Sequence, residues 1–100
     1  MNQCLISPQA IRDLDSISEY FLTRNIETGE KLFQEFTKKC ENLLQFPQMG
    51  RSYEYIRKGM RGITLNSYII FYQLIDDNIE ILRIVNDRQD LEALFREGNN

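Results

Sequence analysis

The chain has no histidine. That removes at once the commonest general base and the commonest zinc ligand. Its two cysteines, Cys4 and Cys40, show no metal-like spacing, so no Cys/His metal site can be assembled and no metal is expected. Cys4 falls in a short apolar run and Cys40 on a helical face. Both are expected to be reduced packing residues, because free cysteine behaves as a small hydrophobe. There is no phosphate-binding glycine loop and no nucleophile elbow, and no cofactor is expected. No apolar run reaches the length of a membrane span, and the first residues lack the basic and long apolar regions of a signal peptide. The expectation is a cytoplasmic protein with no membrane partner. Positive charge is also scarce: the net charge is -3. General coating of DNA or RNA needs the opposite balance, which leaves room only for a local basic patch.

What is present fits one domain spanning residues 1–100, long enough for a core without a covalent staple. Two prolines divide it. Before Pro8, "QCLI" reads as a short strand. Ser7 and Pro8 open a helix as N-cap and first helical residue. Ile11, Leu14, Ile17 and Phe21 then trace one apolar stripe. Asn25 restarts the pattern as a second N-cap, and Leu32, Phe33, Phe36, Cys40, Leu43 and Leu44 form the next stripe up to Pro47. A joint this short makes the helices antiparallel neighbours. After Gly50 the period shortens. "RGITL" and "SYIIFYQLID" read as strands, Asp76 to Asn78 as a turn, and "IEILRIV" as the last strand. "DLEALF" gives one or two helical turns capped by Asp90, with Leu91, Leu94 and Phe95 packing back. The class is α+β, in the order β-α-α-β-β-β-(α), an antiparallel sheet with a helical hairpin on one face. The first strand is an edge or a partner to a distant strand, and pattern alone does not place it.

Charge placement is the one chemical signal. Between Gly50 and Gly62 stand Arg51, Arg57, Lys58 and Arg61 against the single acid Glu54, with Tyr53 and Tyr55 interleaved. Arg83 and Arg88 follow. Arginine is always charged and forks onto carboxylate or phosphate, so these six form a candidate surface for an anionic partner. The plainer reading is a solvated loop, with Arg61 and Arg83 bracing the sheet through Glu54, Asp87 or Asp90. Strict alternation puts Ile79, Ile81, Arg83 and Val85 on one strand face and Glu80, Leu82, Ile84 and Asn86 on the other. Leu82 and Ile84 are then expected beneath the helices, with Arg83 on an apolar, open face of the kind that binds partners. The opposite assignment, which buries Arg83, also fits the pattern. Tyr68 and Tyr72 share a face and are expected to pack.

Taken together, "ISPQAIRDLDSISEYF", "FPQMGR", "MRGITLNSYIIFYQLIDDNIEILRIVNDRQD" and "LEALF" resemble the RelE/ParE superfamily of type II toxins over about residues 3 to 95. The resemblance implies a RelE/ParE-like fold and a toxin neutralised by a cognate antitoxin. It implies one of two targets. ParE-like members are associated with inhibition of DNA gyrase; RelE-like members cut messenger RNA on the ribosome. Arg61 and Arg83 match positions where the cleaving members carry functional arginines, and a cleaving reading would use them together with Lys58. The departures point the other way. No tyrosine or histidine follows Asp90, Asn86-Asp87 stands where many relatives have His-Gly, and Lys58 is alone before Arg61. The ParE-like branch is the favoured expectation. An mRNA interferase, or a relative that binds antitoxin without toxicity, is the alternative. The partner helix is expected in an apolar groove beside the helical hairpin, with an added strand on the sheet as a second mode of contact.

Overall fold

A computed structural model describes residues 2–98. Strand β1 (Cys4–Ile6) leads into helix α1 (Pro8–Arg24), which starts where the sequence places it. The Ser7 side chain accepts from the Ala10 amide at 3.1 Å, and its own hydroxyl donates to the Leu82 carbonyl at 3.0 Å. The N-cap is therefore also a tie to the far end of the chain. Asn25 serves both helices: its amide closes α1 by donating to the Phe21 carbonyl, and its side chain accepts from Thr28 to open α2 (Ile26–Gln45). With no intervening loop the helices fold back on one another. Gly29 makes the close approach possible, since a Cβ there would stand 2.8 Å from the Phe21 Cβ.

The rest of the chain builds β2 (Arg51–Ser52), β3 (Arg61–Leu65), β4 (Tyr68–Ile75), β5 (Asn78–Asn86) and α3 (Leu91–Gly98). The sheet order is β1-β5-β4-β3-β2. β2 to β5 are antiparallel, while β1 lies parallel to β5, pairing Cys4 with Ile79 and Ile6 with Ile81. The first strand is thus an edge held by the last. The two-residue β2 carries too little pattern to be read from sequence. Asp76 and Asp77 both have positive φ, 49° and 68°, which gives the tight β4–β5 hairpin its twist.

Apolar residues bury on both faces of the sheet. Beneath α1 and α2, Ile17, Leu32, Phe36 and Leu43 meet Ile63, Ile70, Tyr72, Ile79, Ile81 and Ile84. On the opposite face Tyr53, Met60, Ile69, Phe71, Leu82, Val85 and Phe95 form a second cluster. The expectation of an open apolar face is overturned here: the segment from Tyr53 to Met60 and helix α3 cover it. Leu82 is also on the other side from the alternation reading. Phe71 pairs with Arg83 and Tyr72 with Ile81, so Leu82 is an extra residue in a β-bulge. The bulge breaks the period of two, leaving Ile79, Ile81 and Ile84 under the helices and Leu82 and Val85 opposite.

Candidate target-binding surface

Arg83 sits beside that bulge, opposite Phe71 and therefore on the second face. Its guanidinium turns to the sheet edge and forks onto Asp13 of α1, with Nε to Oδ2 at 2.8 Å and Nη2 to Oδ1 at 3.1 Å. The Ile84 amide also donates to Asp13 Oδ2, at 2.9 Å. The two side chains are only 18% and 15% exposed, so the pair is largely shielded from water. β1 ends at Ile6, and beyond it β5 has no strand partner on that side. Asp13 takes over there, capping the exposed amide and pairing the arginine at once. The sequence reading named Glu54, Asp87 or Asp90 as the partner, and it named the wrong acids. Glu54 accepts weakly from Gly59, Asp87 contributes its amide to Ser67, and Asp90 caps α3. Asp13 was discoverable in principle: it stands three residues after Ala10 and four before Ile17, the buried residues of α1, and an acid on that face requires a partner, whereas Ile11 of the expected stripe is exposed.

Arg61 is similarly engaged. Its Nη1 donates to the carbonyls of Gly50 at 2.7 Å and Gln48 at 3.3 Å. Opposite it in the sheet, Tyr72 donates to the Pro47 carbonyl at 2.8 Å and accepts from the Gly50 amide at 3.0 Å. Arginine and tyrosine together clamp the turn from Pro47 to Gly50. Gly50 is required for this, because a Cβ there would lie 2.6 Å from the Tyr72 hydroxyl. Burial raises the Tyr72 pKa, against smaller lowering effects from the Gly50 amide and the Arg61 charge.

The other four cations are dispersed. Arg51 is exposed on the edge strand β2, its guanidinium 5.4 Å from the Tyr53 ring centre. Arg57 is half-buried and lies 5.4 Å over the Phe95 ring. Lys58 and Arg88 are exposed and make no ion pair among the described residues. β2 is three strands from β5, or about 14 Å across the sheet. The fold brings Arg57 and Arg83 to one cavity and Arg51 and Arg61 to neighbouring strands, but it does not gather all six into one patch. The cavity beside Arg57 and Arg83 also includes Arg12, which the sequence reading did not select.

Cys4 and Cys40 meet across β1 and α2. Both are unbridged, partly buried and packed on the first core, as expected of packing residues. A hydrogen bond from the Cys40 thiol lowers the pKa of Cys4 and raises that of Cys40. Among the described residues no cluster of potential metal ligands occurs, and no helix is long and apolar enough to cross a membrane.

The outer side of the helical hairpin carries a groove of about 560 Å³ lined by Phe21, Leu22, Ile26, Gly29 and Phe33 among others. Leu22 is 60% exposed and Ile26 58%, so two large apolar side chains at the groove face solvent.

A family model described as "ParE toxin of type II toxin-antitoxin system, parDE" matches residues 5–91. The chain is similar to Toxin ParE1 of Mycobacterium tuberculosis, at 26% identity over 90 residues covering 88% of this chain and 92% of that one. Toxin ParE1 of Caulobacter vibrioides is 28% identical over 89 residues, with the same coverage. A solved structure titled "Chromosomal ParDE TA system from P. aeruginosa" shares the fold, with a TM-score of 0.72 at 24% identity over 86% of this chain and 96% of that one.

Proposed function

Because the chain belongs to the ParE toxin family of type II toxin-antitoxin systems, we propose that it is a single-domain cytoplasmic toxin. A cognate antitoxin protein holds it inactive, and the free toxin inhibits DNA gyrase. The observation that carries the choice of binding over cleavage is the commitment of Arg83 to Asp13. Arg61 is likewise spent on two carbonyls. Those are the arginines a cleaving relative would turn on a phosphate, and here they brace the fold. With no histidine in the chain, a general base would also have to come from elsewhere.

The hairpin groove is the surface we assign to the antitoxin. Its apolar floor and the exposed Leu22 and Ile26 suit one face of an amphipathic helix. The outer edge of β1, with Leu5 and Ile6 exposed, is open to an added strand. Leu22→Asp is expected to weaken antitoxin capture by about tenfold or more while leaving toxicity in place.

Purified toxin should block negative supercoiling by gyrase at micromolar concentration, and stoichiometric antitoxin should reverse the block. Unimpaired supercoiling together with discrete cuts in translated messages would replace this reading with that of an mRNA interferase. Growth unaffected by expression of the toxin alone would point to a relative that retains only antitoxin binding.

A further inference from the structure

The only two cysteines of the chain, Cys4 in β1 and Cys40 in α2, come together where the edge strand packs on the second helix. Both thiols are free and half-buried, and both lie against the core beneath the helical hairpin. The Cys40 thiol donates a hydrogen bond to the Cys4 sulfur, which places the two sulfurs in direct contact. That bond favours the Cys4 thiolate and outweighs the opposing effect of burial. It also holds the proton on Cys40, ahead of burial and of the charges of Cys4 and Glu41. The pair is not a zinc site, since no cluster of three potential metal ligands occurs among the described residues.

A thiolate in contact with a second thiol is the arrangement from which a disulfide forms. We propose that Cys4 and Cys40 are a reversible oxidation site, closed to an intramolecular disulfide by a small-molecule disulfide such as glutathione disulfide. The Cys4 thiolate attacks one sulfur of the oxidant and expels a glutathione thiolate, leaving a mixed disulfide on Cys4. With Cys4 capped, the hydrogen bond and the charge that held the Cys40 proton are gone, and that proton passes to solvent. The Cys40 thiolate then attacks the Cys4 sulfur and expels the second glutathione. Two protein thiols lose two electrons and two protons, and one glutathione disulfide becomes two glutathione thiols. The bond encloses α1 and most of α2. β1, whose strand pairing is with β5 alone, gains a covalent tie to α2. Restricting the unfolded chain in this way stabilises the folded one. In a reducing compartment such a bond is transient and reports oxidising conditions. The proposal does not depend on gyrase being the target.

The test uses the full chain, made by cell-free translation so that toxicity does not limit yield. Reduced, folded protein is incubated with glutathione disulfide at mildly alkaline pH, free thiols are trapped by alkylation, and the intact mass is read. The expected product is two hydrogens lighter, takes up no alkylating agent and reverts with dithiothreitol. Its melting temperature should exceed that of the reduced protein by about 5–15 °C. Cys40→Ser should stop at a glutathione adduct on Cys4, and Cys4→Ser should react several-fold more slowly. The double variant Cys4→Ser/Cys40→Ser should melt at the same temperature with and without the oxidant. Wild-type protein that stops at glutathione adducts, or that stays reduced while its urea-unfolded form is oxidised, would overturn the proposal. So would a crosslinked form that melts below the reduced one, or Cys4→Ser reacting as fast as Cys40→Ser.

Discussion

Asp13 accepts three hydrogen bonds with two oxygens: it pairs Arg83 through both, and through Oδ2 it also satisfies the Ile84 amide. Removing it leaves a largely shielded cation and an orphaned amide together. Each is costly, and the cation more so. Asp13→Ala is expected to lower the unfolding free energy by about 2–4 kcal/mol in urea titrations, allowing for the residual exposure of the pair. The double variant Asp13→Leu/Arg83→Met should recover part of that loss, because no charge is then stranded. Toxicity should be compared only between variants of equal stability, since Arg83→Ala alone confounds bracing with binding. Tyr72 gives a second residue-level expectation. Tyr72→Phe strands the Gly50 amide and should cost about 1–3 kcal/mol near neutral pH. Its pH dependence has a definite sign. Burial raises the folded-state pKa above the unfolded value, so the hydroxyl's contribution is complete below the unfolded pKa near 10 and is lost as pH rises through the folded pKa. The gap between wild type and Tyr72→Phe should therefore narrow on going from neutral pH to about pH 11.

At the scale of elements, the helical hairpin depends on one missing side chain. Gly29 lies in the first turns of α2, where intrinsic propensity favours alanine by about 1 kcal/mol. The Phe21 Cβ, 2.8 Å from the added methyl, opposes this, and a helix backbone cannot retreat as a flexible side chain can. Overpacking of this kind costs about 1–3 kcal/mol, so packing outweighs propensity. Gly29→Ala should lower the melting temperature, and a rise would mean that the helices can part freely. The sequence shows the glycine but only its cost to the helix; the Phe21 contact arises from the way α1 and α2 cross. The same limit applies to β5. Alternation assigns each of its residues a face, and it fails where the bulge inserts Leu82. Hydropathy could not reveal the slip, because both faces of the sheet bury apolar residues.

For the molecule as a whole, the consequence is a sheet with two cores. Phe95 is 3% exposed and stacks edge-on to Phe71 at 5.0 Å, closing the face opposite the helical hairpin. Phe95→Ala should destabilise the entire domain by about 3–5 kcal/mol, as loss of a buried aromatic does. A variant that only frayed the last helix, with denaturant stability unchanged, would show α3 to be a dispensable cover. Local chemistry determined much of this protein from sequence. Caps at Ser7, Asn25 and Asp90, stripes at helical spacing and β-branched runs each act within a few residues, and they fixed the elements and the α+β class. The order and spacing of those elements carried the family. Tertiary structure alone decided what depends on distant segments meeting: the parallel pairing of β1 with β5, the cover over the second face, and the joining of Arg83 to an acid 70 positions away. The physical reason is that charge and hydrogen-bond partners are chosen by proximity in space. A sequence records that Arg83 needs a partner, while only the fold brings Asp13 within 2.8 Å of it.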